Sequence, residues 1–187
     1  MPKKENQRII LTKRLLQEGL LRLLEKKDLE KISVTELCHE SGINRATFYN
    51  HYSSPQDLLV DLENQLTTEL DHIIRYPTTP EESLQCMEAV CTYMQENAYS
   101  IIVLSRCHSD NDLADSFNKL DAALSPRRPK SKLTSAMDEE SLHLVSTFIY
   151  TGSYHLIREW LIKGIQKTPR EIAQLILAIT NKELHLP

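Results

Sequence analysis

Apolar residues recur along the chain at intervals of three and four, which is the spacing of helices and not of strands. From Gln7 to about Lys27, the positions Ile9, Ile10, Leu16, Leu20, Leu23 and Leu24 mark the inner face of a first helix, with Lys13 and Arg14 on its outer side. Ser33 to Tyr52 then reads as two short helices joined by a tight turn. Ser33 caps the first, and Leu37 and Cys38 point inward. Gly42 permits the left-handed turn that a Cβ resists, Ile43 plugs the corner, and Asn44 caps the second. Phe48, one turn inside that second helix, faces back onto Leu37. This leaves Arg45, Ala46, Thr47, Tyr49 and Asn50 on the outside.

The same signals continue down the chain. Ser54-Pro55-Gln56-Asp57 starts a fourth helix that runs to about Arg75 through Leu58, Leu59, Leu62, Leu66, Leu70 and Ile73. Tyr76-Pro77-Thr78 is a boundary, and Thr79-Pro80-Glu81-Glu82 opens a fifth helix to about Asn97. Ser100 to Cys107 is a short apolar run that periodicity alone leaves between helix and strand; its helical surroundings favour helix. Asp110 can cap a further helix through Leu124, followed by the basic, proline-containing linker Ser125 to Lys132. A long helix from about Met137 to Gly164 is apolar on more than one face. The capping box Thr168-Pro169-Arg170-Glu171 then opens a strongly apolar last helix.

The expectation is an all-α fold of about nine helices. A three-helix helix-turn-helix domain spans residues 1–54, and a helical bundle suited to dimerisation spans residues 55–187. The last two helices form a hairpin with more apolar surface than one small body can hide, so a second copy is its simplest cover. Leu156, Trp160, Leu161, Ile172, Leu175, Ile176 and Ile179 are the expected dimer interface.

Composition narrows the picture. Glycine is scarce, at 4 in 187 residues, which suits helices. The net charge of −4 argues against indiscriminate nucleic-acid binding, yet residues 1 to 55 carry 10 basic and 7 acidic groups, net +3, leaving −7 for the rest. The four cysteines show no zinc spacing and read as free thiols, with a redox role for Cys107 beside His108 as the sharper alternative. No stretch reaches the length of about 20 apolar residues that crosses a bilayer, and Met1 to Glu5 lacks an apolar signal core, so a cytoplasmic protein without membrane partners is expected.

Two short helices with a polar outer face have a bland reading, a wet corner of some helical protein, and a sharper one. In the sharper reading the second helix enters the major groove. Arg45 can pair bidentately with guanine, Ala46 and Thr47 offer methyl contact to thymine, and the Tyr49 hydroxyl reaches phosphate. Lys13 and Arg14 are either phosphate contacts or a solvated face.

Thr47-Phe48-Tyr49-Asn50-His51-Tyr52, followed by Ser54-Pro55-Gln56-Asp57-Leu58-Leu59 and preceded by Thr35-Glu36-Leu37 and Gly42-Ile43, resembles the N-terminal domain of the TetR family of bacterial transcriptional regulators over roughly residues 8 to 60. The resemblance implies an all-helical homodimer on a near-palindromic, double-stranded operator, released or switched by a small ligand in the manner of a repressor. It also implies that Thr35, Arg45, Thr47, Tyr49, Asn50 and His51 face the DNA. The chain departs from the pattern at Pro55, where the family usually has a phosphate-binding lysine; the N–H groups at the start of the fourth helix are the alternative anchor. Trp160-Leu161, Lys163-Gly164 and Thr168-Pro169 with Glu171-Ile172-Ala173 look like the subgroup that includes the activator of dihydroxyacetone kinase operons. That subgroup implies an alternative in which the body binds a protein instead of a metabolite.

An enzyme is not expected, because the chain has no phosphate-binding glycine loop, serine elbow or His-Glu-x-x-His. No cofactor or metal is expected. For an effector pocket Tyr93, His143, Tyr150 and His155 are candidate lining, and each is as readily an ordinary bonded or surface residue.

Overall fold

The computed structural model describes residues 4–74, 77, 79–107 and 137–180. Its regular elements among these residues are α1 (Lys4–Leu24), a 3-10 turn (Leu29–Lys31), α2 (Val34–Ser41), α3 (Arg45–Tyr49), α4 (Pro55–Ile73), α5 (Pro80–Glu96), α6 (Ala98–Leu104), α7 (Glu139–Lys163) and α8 (Pro169–Thr180). The expectation of an all-helical chain holds, with eight α-helices and no strand among the described residues. The helix expected after Asp110 and the linker from Ser125 to Lys132 lie outside them, as do Tyr76, Thr78 and His108.

The described residues divide into two compact units. One takes in the chain through Glu69 together with Val103–Cys107; the other takes in Leu70–Ile102 and the described residues that follow Cys107. Both α4 and α6 therefore contribute to each unit.

In the first unit, Leu16, Leu20, Leu23 and Leu24 of α1 meet Leu37 and Cys38 of α2, Phe48 of α3, Leu58, Leu59 and Leu62 of α4, and Val103 and Leu104 of α6 in one apolar cluster. Gly19 lets α1 and α2 approach closely, since a Cβ there would lie 2.9 Å from Ser41 Cβ. Arg22 Nε donates to Glu40 Oε1 at 2.7 Å, and Lys27 pairs with Glu36, so two ion pairs flank that contact. The expected inner face of α1 needs one correction. Ile9 and Ile10 are 40% and 58% exposed, so the buried stripe starts further along the helix. The geometric reason is length: α2 is about 12 Å long against about 31 Å for α1, too short to cover its first turns.

The second unit has its own cluster of Cys91, Met94, Ile101, Ile157, Trp160, Ile172, Ala173 and Ile176. Here α8 packs chiefly against α5 and only sparsely against α7. Ala173 is fully buried at that contact, and Arg170 Nη1 donates to Glu88 Oε2 at 2.8 Å beside it. The capping box expected at Thr168 forms, and the helix start expected at Thr79 is a second one. Glu82 N–H donates to Thr79 Oγ1 while Glu82 Oε2 accepts from Thr79 N–H, and Glu171 makes the same exchange with Thr168.

This packing corrects the expected interface. Trp160, Ile172 and Ile176 are 2–3% exposed and belong to the core of the single chain. The Trp160 indole N–H donates to Ile165 O at 3.0 Å and Lys167 O at 3.2 Å, clamping the loop that follows α7. Leu156 and Leu161 are half-buried, while Leu175 and Ile179 remain exposed. The physical reason is that α8 has two apolar sides, and α5 takes one of them.

Candidate nucleic-acid interface

The turn between α2 and α3 is built from local chemistry. Ser33 Oγ accepts from Glu36 N–H at 3.2 Å, closing the start of α2. At its end Gly42 adopts φ 68° and ψ 22°, and Ile43 N–H reaches back to Cys38 O at 3.0 Å, the long-range bond of a glycine-terminated helix. Asn44 is extended, and its Oδ1 accepts from Thr47 N–H at 2.7 Å to start α3. Each of these bonds satisfies a backbone group that a short helix leaves open.

Phe48 is fully buried against the cluster that holds Leu37, and this fixes which side of α3 faces water. Arg45 and Tyr49 lie one turn apart on the outer face, as do Ala46 and Asn50, and all four are exposed. Thr47 and His51 are half-buried, and Thr35 is exposed in the first turn of α2. The Tyr49 ring stands edge-on to Phe48 with centroids 5.4 Å apart, so an exposed phenol rests on a buried one-turn anchor.

Charge distribution separates Arg45 from its neighbours. Lys13 pairs with Asp61, Arg14 with Glu18, Arg22 with Glu40, Lys27 with Glu36 and Lys31 with Asp28. Among the described residues no carboxylate pairs with Arg45, and its charge is felt instead at the buried Cys38 thiol. Burial raises that thiol above its ordinary range and Arg45 partly offsets the rise. Lys13 and Arg14, read from the sequence as phosphate contacts or solvated charges, are both engaged within the chain. A guanidinium left free at the start of a short exposed helix is suited to a planar, bidentate acceptor.

The start of α4 is capped from within. Asp57 N–H donates to Ser54 Oγ at 3.2 Å, Asp57 Oδ2 accepts from the N–H and hydroxyl of Ser53 at 2.9 and 3.1 Å, and Pro55 has no N–H to offer. The Asp57 carboxylate thus occupies the helix end that the sequence offered as an alternative phosphate anchor.

The four candidate effector residues do not converge. Tyr93 is buried on α5, Tyr150 is half-buried on α7, and His143 and His155 are exposed on α7. His155 Nδ1 lies 2.9 Å from Thr151 O on its own helix. An open depression of about 490 Å³ is lined by Gln95, Ala98, Trp160, Leu161 and the loop through Thr168, and by none of the four. A second of about 490 Å³ runs over Leu144, Thr147, Phe148, Thr151 and Gly152 and takes in only His155. Cys38, Cys86, Cys91 and Cys107 are free thiols, and burial, followed by the charges of Glu63, Glu30 and Asp28, holds the Cys107 thiol above its ordinary range, against a reactive thiolate. Among the described residues no three His, Cys, Asp or Glu side chains are placed to hold a metal, and no helix is long and apolar enough to cross a membrane.

Comparison with known proteins bears on both units. Residues 81–182 match a TetR-type family model described as a transcriptional regulator C-terminal region. Over 81 residues the chain is 31% identical to the uncharacterized HTH-type transcriptional regulator YxbF of Bacillus subtilis (strain 168), a match covering 43% of this chain and 21% of that protein. The matched stretch is therefore about a fifth of that relative's length. Among solved structures, the fatty acid degradation regulator FadR from Bacillus halodurans aligns with a TM-score of 0.66 at 10% identity, over 94% of this chain and 97% of that one. A TetR transcriptional regulator from Streptococcus agalactiae 2603V gives 0.63 at 21% identity over 94% and 97%. The dihydroxyacetone kinase operon activator DhaS gives 0.58 at 15% identity over 92% and 95%. At these identities the likeness is one of fold.

Proposed function

The chain belongs to the TetR family of transcriptional regulators, and from that premise we propose that it is a cytoplasmic homodimer that reads a near-palindromic DNA operator with the outer face of α3. The observation that carries the reading is Arg45: a free guanidinium on a helix start held by Asn44 and backed by fully buried Phe48. In this reading Arg45 pairs with guanine in the major groove, Ala46 and Thr47 contact thymine methyls, and Thr35, Tyr49, Asn50 and His51 hold backbone or base edges. Two copies related by a two-fold axis would place two such helices about 34 to 36 Å apart, or a multiple of that.

The surface proposed for the second copy is the exposed apolar side of α7 and α8. Leu144, Phe148, Leu175 and Ile179 are 45–71% exposed there, with Leu156 and Leu161 partly so. Trp160, Ile172 and Ile176 support that surface from inside the chain.

Control by a small effector is the family's usual mode, but among the described residues Tyr93, His143, Tyr150 and His155 share no cavity that would hold one. The alternative, in which the second unit takes a protein partner, is favoured by the open form of the two depressions. A metabolite is usually enclosed on most of its surface.

The test of the central reading is selection of genomic DNA fragments by the purified full chain. A recovered near-palindrome supports it; fragments with no shared sequence would overturn it.

A further inference from the structure

Two carboxylates one turn apart on α4 hold the chain where it leaves α3. Asp57 takes the backbone and hydroxyl of Ser53, as described above, and Asp61 takes the residue before it. Asp61 Oδ2 accepts from the Tyr52 phenol at 2.6 Å and from the Lys13 ammonium at 3.1 Å. Lys13 Nζ also stands 5.4 Å from the centroid of the Tyr52 ring. One oxygen therefore joins α1, α4 and the end of the recognition helix, whose last turn is closed by Tyr52 N–H donating to Phe48 O at 2.9 Å.

The bond is not incidental to packing. Tyr52 is 4% exposed, so its hydroxyl has little access to water and needs an acceptor inside the chain. Burial lifts the Asp61 carboxyl, but the bonds from Tyr52 and Lys13 and the Lys13 charge together bring it below the usual carboxylate range. Burial and the same bond push the Tyr52 phenol well above its ordinary value. From Tyr52 a row of aromatic contacts leads outward: Tyr52 is tilted on Phe48 at 6.0 Å, and Phe48 meets the exposed Tyr49 at 5.4 Å.

We propose that Asp61 is a positioning residue for sequence readout, acting through Tyr52 and Phe48 to set the face that carries Arg45 and Tyr49; this rests on the DNA-binding reading above. Bidentate base contacts tolerate displacements of only about 0.5 Å, so a slackened helix end loses discrimination before it loses fold.

The test compares full-length wild type, Tyr52→Phe, Asp61→Asn and the double variant on the selected operator and on a shuffled duplex of equal length, with thermal melting alongside. Each single change should lower the operator-to-shuffled affinity ratio about tenfold, the scale of one hydrogen bond to a charged group. The double variant should be no worse than the weaker single, because the two residues act as one unit.

Ratios unchanged within about twofold in both single variants, with the wild type still discriminating, would overturn the positioning role and leave the DNA reading standing. So would losses that multiply in the double variant, or operator and shuffled affinities falling together with the melting temperature. A wild type that prefers no duplex would remove the DNA-binding reading itself, and the proposal with it.

Discussion

Gly19 of α1 and Ser41 of α2 approach so closely that a Cβ on the glycine would lie 2.9 Å from Ser41 Cβ. Ser41 cannot retreat easily, since it is buried and its hydroxyl donates to Leu37 O at 2.7 Å. Gly19→Ala should therefore spread α1 from α2 and cost about 1–3 kcal/mol despite the better helix propensity of alanine. Thermal melting checks this, and a variant as stable as the parent would mean that the two helices are free to shift.

The Trp160 clamp makes a separate prediction for the second unit. Trp160→Phe keeps most of the ring but removes the N–H that bonds Ile165 O and Lys167 O. Stability should fall by about 1 kcal/mol, and trypsin should cut faster at Lys163 and Lys167. Unchanged cleavage at both lysines would show that the loop is held by its other bonds.

What could be read from the sequence follows the reach of the forces involved. The caps Ser33, Asn44, Thr79 and Thr168 act within three residues, and the left-handed turn at Gly42 acts within one, so residue type at a fixed offset was enough. The outward side of α3 followed from Phe48 once its helix was located. Longer-range pairings left no such signal. Lys13 and Asp61 are 48 residues apart, and nothing in either helix marks the other as its partner. Gly19 lies in a helical run whose pattern gives no hint of a neighbour. Periodicity marked α8 as apolar but could not say which side α5 would take. Ile172 and Ile176 thus went inside while Leu175 and Ile179 stayed out.

That exposed side is the proposed dimer surface, and Phe148 is its most exposed large side chain at 71%. Phe148→Asp places a charge where a second copy would bury it, so sedimentation should show a monomer with unchanged helical content. Operator affinity should fall with it, because the two half-sites would then be bound independently. A variant that stays dimeric would move the interface elsewhere.

Alkaline stability gives a fourth prediction. Burial, with the charge of Glu88 behind it, pushes the Cys91 thiol from 9.0 up to about 12. The folded chain keeps this proton while the unfolded chain releases it, so the contribution is whole below pH 9 and is lost as pH rises from there toward 12. The expected slope is about 1.4 kcal/mol per pH unit from this group. Tyr52, also raised, adds a loss in the same direction from its ordinary value of 10.0 upward. Melting temperature should decline steeply above pH 9, and Cys91→Ala, though less stable at pH 7, should decline less steeply. Parallel declines in the two proteins would rule out Cys91 as a source of the slope.

Whether Arg45 reads sequence is decided by the ratio of affinities for the selected operator and a shuffled duplex, measured for the full chain and for Arg45→Ala. Arg45 is exposed, so the change should leave the fold intact. Operator affinity should fall by about 1–3 kcal/mol while shuffled affinity changes far less, so that the ratio collapses. A variant that keeps the parental ratio would contradict sequence reading by Arg45.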